Sequence, residues 1–318
     1  MRPAATPLPS PRRLRRASGW KGRFKVRRLP VVLAAMTALL FCAVSASGGR
    51  AAAQSGGESP PKAIAAGDFD KRRFSDSTAI DNAWLPLRPG TQLVFEGTTT
   101  EDKKPVTHRL VFIVTDLTKT IGGIRNVVEW DRDYSAGKLV EAELAFFAQD
   151  DGGNVWELGE FPAEYEDGKI IHAPAWIHAV KAAKAGLTMQ ADPRLGTPSY
   201  SLGWGPAVGF NDRAKVLRMG QRNCVPVGCF EDVMVVDEFN PDEPEAHQLK
   251  YYARGLGNTR VGWMGQGETS KESLVLVEIR HLGARAMAHA RTQALRLERS
   301  AYKYSPDVYG RTTPLTRP

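Results

Sequence analysis

The feature that most constrains the fold of this chain is a series of short segments in which apolar and polar residues alternate. A period of two residues places successive side chains on opposite faces of a β-strand. The segments are separated by pairs that tolerate positive φ in hairpin turns, such as Gly122-Gly123, Ala136-Gly137 and Asp167-Gly168. The pattern therefore predicts an antiparallel β meander.

The alternation predicts eleven strands, and residue preferences predict two helices. The strands lie over residues 92–97, 107–115, 126–134, 139–149, 155–159, 169–172, 215–219, 231–238, 248–254, 260–263 and 272–279. The helices lie over residues 176–185 and from residue 284 to about residue 303, where Ala, Leu, Arg and Glu are abundant. Strands followed by a terminal helix indicate a mainly β (α+β) domain: a single curled antiparallel sheet, or an open barrel or half-barrel, with a C-terminal helix.

The first 53 residues have the organisation of an export signal. An Arg-rich segment is followed by an apolar stretch over residues 29–44 and by Ala51-Ala52-Ala53, an A-x-A cleavage site. We expect cleavage near residue 53 and a secreted, periplasmic or envelope location, by an export route that the sequence leaves open. The alternative is an uncleaved membrane anchor, because residues 29–49 are uncharged and about 20 apolar residues span a bilayer.

Removing this leader reverses the sign of the net charge. The 318-residue chain has a formal charge of +8, but residues 1–53 contribute eleven positive charges and no negative ones. Residues 54–283 alone carry a net charge of −8. We therefore expect no nucleic-acid binding by the domain behind the leader.

Composition divides the remainder into four segments. Residues 54–73 form a Gly-, Pro- and Ser-rich linker that is too poor in apolar residues to bury a core. The β-rich domain spans residues 74–283, a length that suits one domain. The C-terminal helix spans residues 284–304, and an extended tail spans residues 305–318.

Two cysteines, Cys224 and Cys229, lie behind the leader and flank a Pro/Gly turn. Outside the cytoplasm such a pair indicates a disulfide across the base of a hairpin. The alternative, a redox-active or metal-binding pair, normally uses two intervening residues and further Cys or His ligands. The spacing favours the disulfide.

Several sequence blocks resemble an uncharacterised family of exported bacterial proteins. They are IDNAWLPL at residues 80–87 with PGT at 89–91, AQD and GNVW at 148–156, KYYA with GLG at 250–257, and SPDVYG at 305–310. The resemblance covers roughly residues 74–310. It implies secretion and a β-rich domain, and it brings no catalytic residues.

The hairpin at residues 126–149 predicts a candidate binding face. A turn centred on residues 136–137 places Arg132 opposite Glu141 and, by the same count, Trp130 opposite Glu143. Tyr134, opposite Leu139, shares this face, because residues two apart lie on one side of a strand. The next hairpin adds Glu157, opposite Phe147.

This face mixes aromatic rings with charges, a combination that suits a polar small molecule or a glycan. The predicted ligand-binding residues are Trp130, Arg132, Tyr134, Glu157 and Trp204. The alternative is an ordinary solvated face, in which Arg132 and Glu141 form a cross-strand ion pair. The opposite face is apolar and should face the core; it comprises Val140, Ala142, Leu144, Phe146, Ala148, Trp156 and Leu158.

Candidate catalytic residues are limited to Glu141 and Glu143. Residues two apart on a strand lie about 7 Å from each other, within the carboxyl separation of inverting glycosidases. Motifs for a nucleophile elbow, a P-loop or a zinc protease are missing from the sequence. We predict no cofactor and no metal; the segment at residues 150–154 is better interpreted as a hairpin turn than as a Ca²⁺ loop.

The C-terminal helix is basic, with Arg285, Arg291, Arg296, Arg299 and Lys303. It can pack onto its own domain through its apolar residues, or it can contact anionic lipid or wall polymer. We expect the helix to pack onto its own domain. We also expect the protein to be a monomer. Taken together, these sequence features favour an exported, non-catalytic binding protein for a polar ligand. One alternative is a secreted hydrolase of carbohydrate or wall polymer, and another is a structural envelope component.

Overall fold

The structure, a computed structural model, describes residues 69–317. The predicted export signal and residues 54–68 of the predicted linker lie outside the described residues. Fifteen strands are described: β1 (Thr91–Glu101), β2 (Lys104–Ile121), β3 (Ile124–Ser135), β4 (Lys138–Gln149), β5 (Val155–Glu166), β6 (Lys169–His172), β7 (Trp176–Ile177), β8 (Lys184–Met189), β9 (Tyr200–Ser201), β10 (Gly203–Trp204), β11 (Arg213–Val225), β12 (Gly228–Phe239), β13 (His247–Ala253), β14 (Gly257–Met264) and β15 (Ser273–His281). Two helices follow, α1 (Ala284–Tyr304) and α2 (Pro306–Tyr309).

Within residues 69–317, the strands form one antiparallel sheet that does not close. Its order is β10-β8-β5-β4-β3-β2-β1-β15-β14-β13-β12-β11-β9, and β6 and β7 both pair with β5. Nearly every long strand pairs with its neighbour in sequence, as expected for hairpins with short turns. The predicted fold class is confirmed, and each of the eleven predicted segments overlaps a strand.

One short segment links the two edges of the sheet. β9 pairs with β11, and β10 pairs with β8 at the opposite edge. Only Leu202 separates β9 from β10 in the chain. The two edges of the curled sheet therefore come close together at residues 200–204 without pairing, and the inner face surrounds a cavity.

The predicted helix over residues 176–185 is wrong. Trp176 and Ile177 form β7, and the chain then turns through Ala179, Lys181 and Ala182. These three residues have φ values of 66°, 49° and 64°, in the left-handed region. A right-handed helix cannot pass through them, so the segment forms a tight connection that leads into β8.

The outer face of the sheet is the face that α1 covers. Helix α1 packs on β2 and β4 and buries Met287, Ala290, Ala294, Leu297, Glu298 and Ala301. Beneath it lie the buried side chains of Ile113, Leu144 and Phe146. The predicted packing of the C-terminal helix onto its own domain is confirmed. No helix in residues 69–317 is both long enough and apolar enough to span a membrane.

The predicted disulfide is confirmed. Cys224 in β11 and Cys229 in β12 are register partners at the end of their hairpin, and their sulfur atoms are bonded. Val225 and Val227, at the tip of the same hairpin, pack on an apolar cluster that includes Phe95 and Leu276. The disulfide thus holds the turn in which these two valines lie.

Candidate functional site

The inner face of the sheet encloses a cavity of 550 Å³, here called the inner cavity. Its wall comes from β1 to β5 on one side and from β12 to β14 on the other. The lining is completed by residues 85–87, which precede β1, and by Leu202, Phe210 and Asp212, which lie near the edges of the sheet. A volume of this size is typical of a small-molecule site, since ligand pockets commonly enclose about 300 to 1,000 Å³.

Three adjacent strands supply an acidic wall. Alternation along β3 points Glu129, Asp131 and Asp133 into the inner cavity. On β4, Glu141 lies opposite Asp133 and Glu143 lies opposite Asp131. Carboxylates directly opposite each other on neighbouring strands repel when both are ionised, so this arrangement favours protonated carboxyl groups.

Strand β5 adds Glu157 and Glu160 to the same wall. The carboxyl groups of Glu143, Glu157 and Glu160 offer oxygen atoms that lie within 4.8 Å of one another. A bulge makes this possible, because Phe146 pairs with Gly159 while Phe147 pairs with Glu157. Leu158 is thus unpaired, and the two acidic residues on either side of the bulge face the same way.

Strands β1 and β2 supply an apolar wall. Leu93 and Phe95 on β1 and Leu110 and Phe112 on β2 line it, next in sheet order to the acidic strands. The ring centroids of Phe95 and Phe112 lie 5.6 Å apart in an edge-to-face arrangement. The cavity therefore has an apolar side and an acidic side, and a ligand that fills it must match both.

Lys250 is the single cationic residue among the described residues that line the inner cavity. Its Nζ lies 3.0 Å from Oε2 of Glu238, which also faces the cavity. Ten acidic residues line the same space, the other two being Asp212 and Glu272. The cavity therefore has many more carboxyl groups than cationic groups.

Burial, and for most of them the neighbouring carboxylates, raises the pKa values of the carboxyl groups. Burial raises the pKa of Glu129 to about 7, although the Lys250 ammonium opposes the shift. Burial, together with the charges of Asp133 and Glu160, raises the pKa of Glu141 to about 8. The same causes hold the pKa of Glu143 well above its ordinary range. Several of these groups are therefore protonated near neutral pH.

A buried histidine lies behind the acidic wall. His108 Nε2 lies 2.8 Å from Oδ1 of Asp133 and 3.2 Å from Oε1 of Glu272. Burial lowers the pKa of His108, but the carboxylates of Asp133 and Glu272 outweigh that effect and raise it overall. His108 therefore places a titratable imidazole at one end of the acidic wall.

The predicted placement of Trp130, Arg132 and Tyr134 beside Glu141 and Glu143 is wrong. Val140 is an extra, unpaired residue of β4, because Tyr134 pairs with Leu139 while Asp133 pairs with Glu141. One added residue moves the rest of a strand to the other face. Trp130 and Arg132 consequently lie on the outer face, and Tyr134 packs against the main core.

Other parts of the predicted face are placed as expected. Glu141, Glu143 and Glu157 share the inner cavity, and Phe147 is the register partner of Glu157. The predicted core side of β4 is buried at Ala142, Leu144, Phe146 and Ala148. Trp204 is different: it lies on the edge strand β10, is 39% exposed, and lines neither of the two cavities described in residues 69–317.

Sequence reasoning missed most of the acidic wall. Glu129, Asp131 and Asp133 alternate along β3 with the aromatic and cationic residues that were chosen instead. The alternation of these three acidic residues could have indicated a second candidate binding face, since either side of the strand can face a ligand. Asp212, Glu238 and Glu272 come from distant segments and gave no local signal.

The segment at residues 150–154 is a hairpin turn in which carboxylates accept protein hydrogen bonds. Asp150 Oδ1 accepts from the backbone N–H of Gly152 and of Asn154, at 2.8 and 3.0 Å. Its Oδ2 accepts from the indole Nε1 of Trp156 at 3.0 Å. Asp151 accepts from Ser75. These acceptors stabilise the turn between β4 and β5.

Comparisons with known proteins give limited information. No protein-family model matches the chain, and no curated protein matches its sequence. Two solved structures are similar over 63% of this chain. A protein from Bacteroides fragilis, assigned as exported and with a YmcC-like fold, is 16% identical, with 99% of that chain covered and a TM-score of 0.35. A protein from Parabacteroides distasonis, assigned as a lipoprotein, is 10% identical, with 100% covered and a TM-score of 0.34. At these scores neither similarity supports a functional argument.

Proposed function

We propose that this chain is an exported, non-catalytic binding protein whose inner cavity holds an organic cation with an apolar body. The single observation that carries the proposal is the division of one 550 Å³ cavity into an acidic wall and an apolar wall. Export rests on the leader and on the resemblance described above. The sequence predicts a polar ligand. We narrow this prediction to a cation because so many carboxyl groups line the cavity.

A cationic ligand is favoured because the cavity lacks the charge that would balance its carboxyl groups. Carboxylates that repel one another are stabilised when an ammonium or guanidinium group is bound between them. Lys250 already makes one such contact, with Glu238. A bound cation would extend the same interaction to Glu141 and Glu143, which have no cationic partner among the described residues.

An apolar body is favoured by the apolar wall of β1 and β2. Phe95, Phe112 and Leu110 present hydrocarbon surface to the cavity, and covering it gains about 25 cal/mol for each Å² removed from water. A small inorganic cation would leave this surface uncovered. The two walls together select a molecule with a charged end and an apolar end.

Three matched probes test the proposal: benzylamine, benzyl alcohol and benzoate differ in charge and share an aromatic ring. We expect benzylamine alone to raise the unfolding temperature of the full-length protein. Glu141→Gln and Glu143→Gln should each weaken this effect. Glu231→Gln is the matched control, because Glu231 is exposed and paired with Arg222 at the surface, and it should leave the effect unchanged. Equal shifts for all three probes, or none, would contradict the proposal.

Export is tested separately. Expression of the full-length chain in a bacterial host should place the protein outside the cytoplasm, with Gln54 as its new N-terminus. Intact-mass measurement of the exported protein checks this directly. A protein that keeps Met1 and stays with the membrane would instead support the anchor interpretation.

Hydrolysis by Glu141 and Glu143 is not proposed. Paired carboxyl catalysis requires that one group be protonated while the other is ionised. Burial and neighbouring carboxylates raise the pKa of Glu141 to about 8 and that of Glu143 well above its ordinary range. The pKa values of both groups shift in the same direction, so the structure does not set one apart as the acid and the other as the base.

A further inference from the structure

A second cavity lies on the outer face of the sheet, beneath the start of α1. This outer groove has a volume of 690 Å³. Its floor is formed by Trp130, Ile113 and Leu282, and its rim carries Arg132, Arg280 and Arg285. It lies on the opposite side of β3 from the inner cavity, because Trp130 and Arg132 alternate with Glu129 and Asp131.

Arg132 is held in position without a charged partner. Its guanidinium carbon lies 4.3 Å from the ring centroid of Trp130, which is 5% exposed. Its Nε is buried and makes no hydrogen bond with the described residues. A buried donor without an acceptor is costly, and Arg132 lines the outer groove, where a bound oxygen atom can accept from its guanidinium group.

Arg285 adds a second unpaired cation where cations are least expected. It lies in the first turn of α1, and no described residue forms a salt bridge with it. That turn contains no acidic residue, and Gly283 at its start provides no side-chain cap. The positive end of a helix favours anions and disfavours cations. Gly283, Ala284 and Ala286 line the groove beside Arg285, and the first N–H groups of a helix have no acceptor within the helix.

We propose that the outer groove binds the phosphate group of a phosphate ester, with the apolar part of the ester against Trp130. Guanidinium groups and helix N-termini both donate N–H groups with a geometry that suits the several oxygens of a phosphate. The site is distinct from the inner cavity and goes beyond the proposed function. The phosphate group can belong to a soluble ester or to the headgroup of an anionic lipid, since both present the same chemistry.

Calorimetric titration of the full-length protein with phenyl phosphate tests the site. Arg132→Gln and Arg285→Gln should each weaken binding about tenfold, because a hydrogen bond to a charged group is worth roughly 1.4 kcal/mol or more. Arg296→Gln and Arg299→Gln are matched controls: both residues are exposed on α1 and lie outside the groove. They should leave binding unchanged. Arg285 is exposed, so its substitution tests the site even if the Arg132 variant folds poorly.

A second readout locates the ligand and its source. Phenyl phosphate should shift the Nε–H resonance of Arg132 in the wild-type protein. Vesicles of phosphatidylcholine with phosphatidylglycerol should compete if the natural source is a headgroup, and only the soluble ester should bind if it is not; either result supports the site. Equal loss in groove and control variants, or no binding of either probe to the wild type, would overturn it.

Discussion

At the scale of single residues, the acidic wall makes stability depend on pH in an unusual direction. Most buried carboxylates in proteins are paired, so that their pKa falls and acid destabilises the fold. Glu141 differs, because burial and the charges of Asp133 and Glu160 raise its pKa from 4.5 to about 8. The folded state therefore binds the proton more tightly than the unfolded state does.

The sign of this linkage gives a prediction. The contribution of Glu141 is fully present below about pH 4.5 and is lost as pH rises to about 8. We expect Glu141→Gln to be more stable than wild type at pH 8, by about 1 to 3 kcal/mol, and to lose less stability between pH 5 and pH 8. Chemical denaturation at several pH values measures both quantities. A variant whose pH profile superimposes on that of the wild type would show that Glu141 is ionised in the folded protein.

At the scale of elements, the C-terminal helix is attached to the sheet by a buried ion pair. Lys119 of β2 is fully buried, and its Nζ lies 3.0 Å from Oε1 of Glu298 in α1. The same Nζ donates to the carbonyl oxygen of Thr313 at 2.8 Å, and Glu298 accepts from the N–H of Leu315. The pair thus joins the sheet, the helix and the C-terminal tail.

Removing one member of this pair should be costly. Lys119→Met leaves Glu298 buried without its cation, and we expect the unfolding free energy to fall by about 3 to 5 kcal/mol. The double variant Lys119→Met/Glu298→Met should recover much of the loss, since it removes both charges. Arg222→Met, which breaks an exposed pair with Glu231, should cost less than about 1 kcal/mol. Denaturant titration measures all three, and a Lys119 variant as stable as the Arg222 variant would contradict this account.

The sequence predicts the long strands of the sheet but not its shortest strands or its bulges. Strands with many alternating residues, such as β4 and β12, were identified because period and turn residues agree. Strands β7, β9 and β10 have two residues each and carry no period at all. The bulges at Val140 and Leu158 depend on contacts across the sheet. The bulge at Val140 alone explains why the sequence predicts the wrong face for Trp130 and Arg132.

At the scale of the whole molecule, the curled sheet separates charges of opposite sign. Its inner face holds the carboxyl groups, and the outer groove carries Arg132 and Arg280 of the sheet and Arg285 of α1. Strand β3 contributes to both, because its alternate residues point in opposite directions. The net charge of −8 over residues 54–283 gave the overall sign of this domain but not its division between two faces.

The central claim is that the inner cavity binds a cation, and proton release on binding tests it most directly. A cation bound among protonated carboxyl groups lowers their pKa values, so protons should leave as it binds. We propose calorimetric titration of benzylamine into the full-length protein at pH 7.5, in two buffers of different ionisation enthalpy. We expect the two apparent enthalpies to differ in the direction of proton release, and the affinity for benzylamine to rise from pH 6 to pH 8. Binding with no proton release, or binding equally tight for benzyl alcohol, would contradict it.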